Sequence, residues 1–259
     1  MPSWQALTDE ALRWHDAGRA ADLWWRDDDA TDCGPTLERL LALHRETAVP
    51  LALAVVPALA TQALADRMTE EPGVDVLQHG YAHVNHASPA EKKMELGPHR
   101  PAMVVVGELG TGWLAMERLF PARALPILVP PWNRISPALV PTLPEVGFRG
   151  LSTFGPRRAR PLRGLLEINT HVDLLDWKGR RGFVGEVAAL GALVAALGHA
   201  RTVSHEAVGI LSHHLAMDAK AWDFLSSMCE KATTMPGLRL RPVRELLGAA
   251  AAATREGCG

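Results

Sequence analysis

The stretch that decides the fold is ADLWWRDDDATDCGPTLERLLALHRETAVPLALAVVP, residues 21–57. It begins with an apolar strand pattern over 21–26 and ends with a second one over 49–57. Between them, residues 35–47 place four leucines at helical spacing, with Pro35 and Thr36 near the start. Two strand patterns joined by an amphipathic helix indicate parallel strands in an α/β domain.

The same alternation continues along the chain. Further strands are predicted at 74–79, 125–131, 148–153, 165–173, 207–214 and 237–243, and further helices at 58–68, 101–119, 183–199 and 217–231. We favour closure into a barrel over an open doubly wound sheet, and both place their sites at the carboxyl ends of the strands. No linker or fixed-period repeat divides residues 1–259, which predicts a single domain with outlying helices at 4–18 and 244–253.

Composition excludes several functional classes. The chain has 259 residues, 47% hydrophobic and 22% charged, with a formal net charge of −2 and no basic block. Nucleic acid and anionic membranes are therefore not expected partners. The longest apolar run that we identify, 51–60, is interrupted by Pro57 and is too short to span a bilayer. The amino terminus does not read as a signal peptide, and Cys33, Cys229 and Cys258 share no metal-ligand spacing, so we expect a cytoplasmic protein.

Five polar clusters fall where apolar runs end. The first is Asp27, Asp28 and Asp29, whose mutual repulsion predicts a compensating cation or a raised pKa. A helix cap or a solvated acidic turn is the alternative interpretation. Because the carboxyl ends of parallel strands share one edge, we expect the five clusters to meet there.

The second cluster contains His79 and His83, with His86 close behind. Histidines at i and i+4 lie on one face of a helical turn, so both imidazoles can reach one divalent ion. Three protein ligands with an open position make a hydrolytic site, because the ion lowers the pKa of its bound water. His86 is either a partner of these ligands or an exposed residue.

The remaining clusters supply groups for acid–base chemistry. In Pro130-Pro131-Trp132-Asn133-Arg134, two prolines fix the backbone and a following N–H can point at an oxyanion; the alternative is a rigid loop. Asp173, Asp176 and Trp177 suit the orientation of an imidazole or a surface ion pair. His213 ends an apolar run and suits a general acid or a structural hydrogen bond.

The order of these motifs resembles the polysaccharide deacetylases, carbohydrate esterase family four, as a divergent branch related to chitooligosaccharide deacetylases. That family has, in order, Asp-Asp, His-x-x-x-His, proline-aromatic, Asp-x-x-Asp-Trp and Leu-x-His motifs. Here they correspond to 27–29, 79–83, 131–132, 173–177 and 211–213, within a motif-bearing core of 22–214. The resemblance implies one deacetylase-like domain with a distorted (β/α) barrel of about seven parallel strands, a divalent metal and hydrolysis of an acetamide or acetyl ester.

The resemblance also implies roles for residues. Asp28 is the base, and Asp29 joins His79 and His83 as metal ligands, although a shifted alignment makes Asp27 the base and Asp28 the ligand. Trp132 contributes its N–H to the oxyanion hole, and His213 is the acid, oriented by Asp176 or Asp173. Pro131 and Trp132 are expected at the oxyanion and substrate site. Five aromatic residues in or beside the motifs are candidates for lining a pocket for a sugar ring, with core packing expected for at least two of them: Trp24, Trp25, Tyr81, Trp132 and Trp177.

The departures from the family pattern leave alternatives open. The arginine that usually precedes the proline-aromatic motif is missing, with Arg26 or Arg134 as substitutes, and Asn133 stands where glycine is common. The expected substrate is a small molecule or an oligosaccharide. The other hypotheses are C–N hydrolysis of a non-sugar amide or cyclic ureide, and a degenerate member that binds a carbohydrate or a partner without catalysis. Zinc is the expected metal, with cobalt, nickel and iron as alternatives, and the sequence indicates no oligomeric state.

Overall fold

The computed structural model describes residues 1–179 and 181–248. Its described strands form one sheet in which every pairing between named strands is parallel. The strands are β1 Ala21–Ala30, β2 Leu51–Val55, β3 Val74–His79, β4 Ala124–Val129, β5 Gly150–Leu151, β6 Leu166–Glu167, β7 Thr170–Asp173, β8 Val208–Ser212 and β9 Leu238–Leu240. The helices are α1 Trp4–Asp16, α2 Pro35–Thr47, α3 Gln62–Thr69, α4 Ala102–Leu119, α5 Leu143–Val146, α6 Glu186–His199 and α7 Ala219–Thr234.

The sheet curls because its two ends belong to one extended segment. The strand order is β6-β5-β4-β3-β2-β1-β8-β7, with β9 beside β1. Residues 166–167 pair with β5, and residues 170–173 pair with β8. The N–H groups of Ile168 and Thr170 also donate to the carbonyls of Leu151 and Thr153, both at 3.0 Å. With β6 and β7 counted as one strand, and with β9 left out because it lies off the main path, the sheet is the seven-stranded, distorted (β/α) barrel that the resemblance implied.

The central strand β1 is buried on both faces, as expected for a parallel strand covered by helices. Trp24 packs inside the curled sheet with Leu77 and Ile127. Trp25 points the other way and packs in the layer between sheet and helices with Leu40. Trp24 and Trp25 are therefore core residues with no more than 2% exposure and do not line a substrate pocket, which agrees with the expectation that at least two of the five aromatic residues pack in the core.

The predicted elements are present, and their ends differ for local reasons. β1 continues to Ala30, so the three aspartates lie within the end of the strand and not after it. β4 stops at Val129 because Pro130 and Pro131 have no N–H for the ladder. The predicted last helix, 244–253, is helical over its described residues, 244–248, whereas 249–253 lie outside the described residues.

One helical stretch, Glu186–Ser204, is long and apolar enough to cross a membrane by length and composition alone. The length of uninterrupted apolar runs does not identify this stretch in the sequence. Its α6 part buries Ala189, Leu190, Leu193 and Leu197 against the main core. The core helix of a globular domain has the same properties.

Candidate metal centre and active site

A cavity of about 470 Å³ opens at the carboxyl ends of the strands, where barrels of this class carry their sites. All five predicted clusters contribute side chains to its wall. They do so from the ends of β1, β3 and β7 and from the residues that follow β4 and β8. The lining residues are Asp28, Asp29, His79, His83, Lys93, Trp132, Asn133, Arg134, Phe154, Asp173, Trp177, Lys178 and His213.

Asp28 and Asp29 both face this cavity because β1 is irregular at its end. Adjacent residues of a regular strand point to opposite faces. Here the register between β1 and β2 shifts between Asp27 and Ala30, and Asp29 adopts a left-handed conformation with φ of 75°. This bulge turns a second consecutive carboxylate towards the site, as bulges do near active sites.

Asp29, His79 and His83 converge on one point. The Oδ1 atom of Asp29 lies 3.0 Å from Nε2 of His79 and 3.2 Å from Nε2 of His83. One ligand atom from each residue lies within 4.8 Å of the others. These are separations that atoms bound to one ion at about 2.0–2.2 Å would have, so the donor set fits a divalent cation.

The hydrogen-bond partners of His79 leave one ring nitrogen for a metal. Nδ1 of His79 lies 3.0 Å from the carbonyl of Val129, which can only accept, so Nδ1 carries a proton and Nε2, 3.0 Å from Oδ1 of Asp29, is the atom that could bind an ion. Burial opposes ionisation of Asp29, but hydrogen bonds from His79 and His83 outweigh it and hold its pKa well below the usual range. Burial lowers the pKa of His79, yet the nearby Asp28 and Asp29 carboxylates raise it overall.

The two histidines are not joined by the helical turn that their spacing predicted. His79 ends β3, and the chain turns through Gly80 and His83 with φ of 55° and 57°. Glu95 holds this turn, because its carboxylate accepts the N–H groups of Tyr81 and Ala82 at 3.1 and 2.8 Å. Glu95 is buried and comes from an irregular segment, so no periodicity signalled it.

Asp28 is held by Arg26. The guanidinium donates from Nε to Oδ1 at 2.8 Å and from Nη2 to Oδ2 at 3.0 Å. Its other contacts are the Ser152 hydroxyl at 2.6 Å and Oδ1 of Asn133 at 2.8 Å. Of the two arginines proposed as substitutes for the missing family arginine, Arg26 contacts Asp28, whereas Arg134 donates to the carbonyl of Lys93.

Asp27 points away from the cavity. Its carboxylate accepts the Ser212 hydroxyl at 2.6 Å and the His214 backbone N–H at 3.0 Å, and it pairs with Nδ1 of His214 at 2.5 Å. Burial lowers the pKa of His214, but the Asp27 carboxylate more than offsets it, so the pKa is raised. Trp25 donates to the Ser212 hydroxyl at 2.8 Å and extends this network.

The turn after β4 places Trp132 at the cavity. Trp132 and Asn133 are both left-handed, with φ of 55°. The N–H groups of Asn133 and Arg134 bind the carbonyls of Pro130 and Pro131. The Trp132 ring lies 4.5 Å from that of His83, centroid to centroid. Pro131 is buried under Gly80, so Pro131, like Tyr81, does not line the cavity.

His213 faces Asp173 and Trp177. The Trp177 ring meets His213 edge-on at 4.7 Å, and its indole N–H donates to Asp173 at 2.9 Å. Burial raises the pKa of Asp173, with His213 acting in the opposite direction. Asp176 instead accepts the N–H groups of Lys178 and Gly179 and lines an adjoining groove. Between the two predicted orienting carboxylates, the structure brings Asp173 into the cavity.

The nearby histidines lie outside the cavity lining. His86 is half-buried, and its backbone N–H donates to the carbonyl of Met94. His171 accepts the Gly209 N–H and faces Glu206, with 3.6 Å between Nε2 and the carboxylate.

Comparison with known proteins identifies the fold. No protein-family model and no curated protein matches the chain. A structure described as a polysaccharide deacetylase from Mycobacterium smegmatis matches with a TM-score of 0.65 and 16% identity over 91% of this chain and 92% of that one. The peptidoglycan deacetylase PdaC from Bacillus subtilis matches at 0.55 with 15% identity, covering 91% and 95%. A family 4 acetyl xylan esterase from Clostridium thermocellum, in complex with a cobalt ion, matches at 0.54 with 14% identity, covering 88% and 91%. The chain therefore has the fold of the family 4 polysaccharide deacetylases and esterases, as its motif order predicted.

Proposed function

We propose that this protein is a metal-dependent hydrolase that removes an N- or O-linked acetyl group from a carbohydrate or a related small substrate. One observation carries the proposal: the Asp29, His79 and His83 donors converge beside Asp28, whose carboxylate is held by Arg26. A ligand set next to an oriented base is what metal-assisted hydrolysis requires.

The bound ion would polarise the acetyl carbonyl and lower the pKa of the attacking water. Asp28 takes a proton from that water. Arg26 donates to both carboxylate oxygens through its fork, which fixes the plane of the carboxylate. The base is therefore oriented before the substrate arrives.

Two further residues of the cavity would serve the oxyanion and the leaving group. The N–H of Trp132 would donate to the developing oxyanion; in support, Trp132 lines the cavity in a left-handed turn after two prolines. His213 protonates the departing nitrogen or oxygen, with Trp177 and the Asp173 carboxylate beside its ring.

A catalytic function is favoured over a degenerate binding function by the position of Arg26. The absence of the arginine that usually precedes the proline-aromatic motif was the feature that supported the hypothesis of a non-catalytic member. The Asp28 carboxylate nevertheless has a bidentate arginine partner with 0% side-chain exposure.

The test measures acetate release from N-acetylglucosamine oligomers and from an acetylated xylan, together with bound metal. We expect Asp28→Asn to keep its metal and to lose turnover by about 10²–10⁴-fold, the usual contribution of a general base. We expect His79→Ala to lose both metal and activity. Full turnover in Asp28→Asn, or unchanged metal content in His79→Ala, would show that these roles are wrong.

A further inference from the structure

Three cationic side chains stand at the edge of the active-site cavity without a carboxylate partner. They are Lys93, Arg134 and Lys178. None of them forms an ion pair with residues 1–179 or 181–248. Elsewhere many arginines are paired, for example Arg100 with Glu108 at 2.6 Å. Three cations without an ion pair therefore line the cavity that holds the candidate metal ligands.

Two of these cations are built into one wall. Nη1 of Arg134 donates to the carbonyl of Lys93 at 2.8 Å, which fixes the two residues against each other. The Lys93 ammonium lies 5.8 Å from the centre of the Trp132 ring. A bridge between Leu96 and Ile135 joins the same two chain segments. Lys178 follows Trp177, on the side of the cavity that carries His213.

The carboxylates of the cavity do not neutralise these cations, because each has a nearer partner. Asp28 binds the Arg26 guanidinium. Asp29 contacts His79 and His83. Asp173 accepts the indole N–H of Trp177 and the N–H of Leu175.

The three cations do not reflect the net charge of the chain. The whole chain carries a formal net charge of −2. A general excess of positive charge therefore does not explain three unpaired cations around one cavity.

We propose that the substrate of this site is an acylated sugar that carries an acidic group, a phosphate or a carboxylate, which Arg134 and Lys93 bind while Lys178 contributes from the opposite wall. The assignment of the acyl group rests on the proposed function, whereas the assignment of the acidic group does not. Arg134 uses one Nη in the bond to Lys93, and its remaining N–H groups suit an anion's oxygens. The Trp132 ring beside the cations offers an apolar face to the sugar.

The experiment compares binding and hydrolysis of neutral and acidic sugars. Binding is measured by calorimetry on chelator-treated protein, with glucosamine, glucosamine 6-phosphate and muramic acid as probes. Hydrolysis is measured on the corresponding N-acetyl compounds. We expect at least one acidic probe to bind about tenfold more tightly than glucosamine, with the advantage shrinking as salt is raised.

Variants localise the effect. We expect Arg134→Gln and Lys93→Gln to reduce the acidic-sugar advantage about three- to tenfold, as loss of a partly exposed charged contact does. The matched control is Lys92→Gln, which removes the same charge from the neighbouring residue outside the cavity lining. A preference for the phosphate identifies a sugar phosphate, and a preference for the carboxylate identifies a sugar acid; both support the proposal.

Two results would overturn it: equal dissociation constants for all three probes, or the same loss in Lys92→Gln as in Lys93→Gln. Acid-selective binding without acetate release would refute the proposed hydrolysis and leave the anion site standing.

Discussion

The guanidinium of Arg26 binds both carboxylate oxygens of Asp28, two residues further along the same strand, at 2.8 and 3.0 Å. Residues i and i+2 of a strand share a face, so this strand supplies both the base and its orienting partner. Asn133, in the position where glycine is common in similar sequences, accepts from the same guanidinium at 2.8 Å. Arg26, which substitutes for the arginine of the family pattern, thus contacts Asn133, which stands in the place of the glycine.

Arg26→Lys tests this relationship. Lysine keeps the positive charge but lacks the planar fork, so Asp28 loses its fixed orientation. We expect kcat for acetate release to fall about 10–100-fold, similar to the loss of other outer partners in metal sites, with bound metal unchanged. Asn133→Ala, which removes only one acceptor of the guanidinium, should cost less. A kcat within twofold of the wild type in Arg26→Lys would refute the role.

Glu95→Ala should weaken metal binding without removing a ligand. Glu95 accepts the N–H groups of Tyr81 and Ala82 in the turn that carries His83. We expect the affinity for zinc or cobalt, measured by competition with a chelating dye, to fall about 10–100-fold. The control is Glu91→Ala, whose carboxylate is exposed and contacts Ser88. Equal affinities in the two variants would contradict the positioning role.

Gly80→Ala should destabilise the fold. A Cβ at Gly80 would lie 2.0 Å from Oε2 of Glu95 and 2.5 Å from the Pro131 ring, in a residue with φ of +55°. Left-handed strain and overpacking together predict a loss of about 2–4 kcal/mol in the free energy of unfolding. Gly34→Ala is the control, because nothing lies within 4 Å of its added Cβ. Denaturation with urea measures both, and equal stabilities would show that the turn relaxes freely.

The pair of Asp27 and His214 should make stability depend on pH. The folded-state pKa of His214 is raised, so its stabilising contribution is fully present below the unfolded pKa of about 6.5 and is lost as the pH rises through the folded value. We expect the stability difference between wild type and His214→Gln to shrink as the pH increases above about 6.5. A difference that is constant from about pH 5 to pH 9 would mean that the pair does not change its protonation across this range.

The barrel could be predicted from the sequence because its strands are continuous apolar runs separated by helical patterns. The closure through 166–173 was predicted as one strand and is present as β6 and β7. Sequence order alone could not show whether Arg26 or Arg134 holds Asp28. Nor could it show whether Asp27 or Asp29 shares the cavity with Asp28. A bulge decides which carboxylates face the cavity.

Other features depend on contacts between distant residues. The partner of Asp27 is His214, which is 187 residues away. Glu95 lies in a segment without helical or strand periodicity. Four non-glycine residues with positive φ, which include Asp29 and His83, line the cavity. A pattern based on regular elements does not predict such conformations, which cost about 1–2 kcal/mol each.

The central claim is that Asp29, together with His79 and His83, holds a divalent ion beside Asp28. The most direct measurement is the metal content of purified Asp29→Ala by elemental analysis, with Asp32→Ala as the control, because Asp32 is an exposed carboxylate just after the same strand. The account predicts about one ion per chain in the wild type and in Asp32→Ala, and a near-complete loss in Asp29→Ala. Full metal content in Asp29→Ala would contradict it.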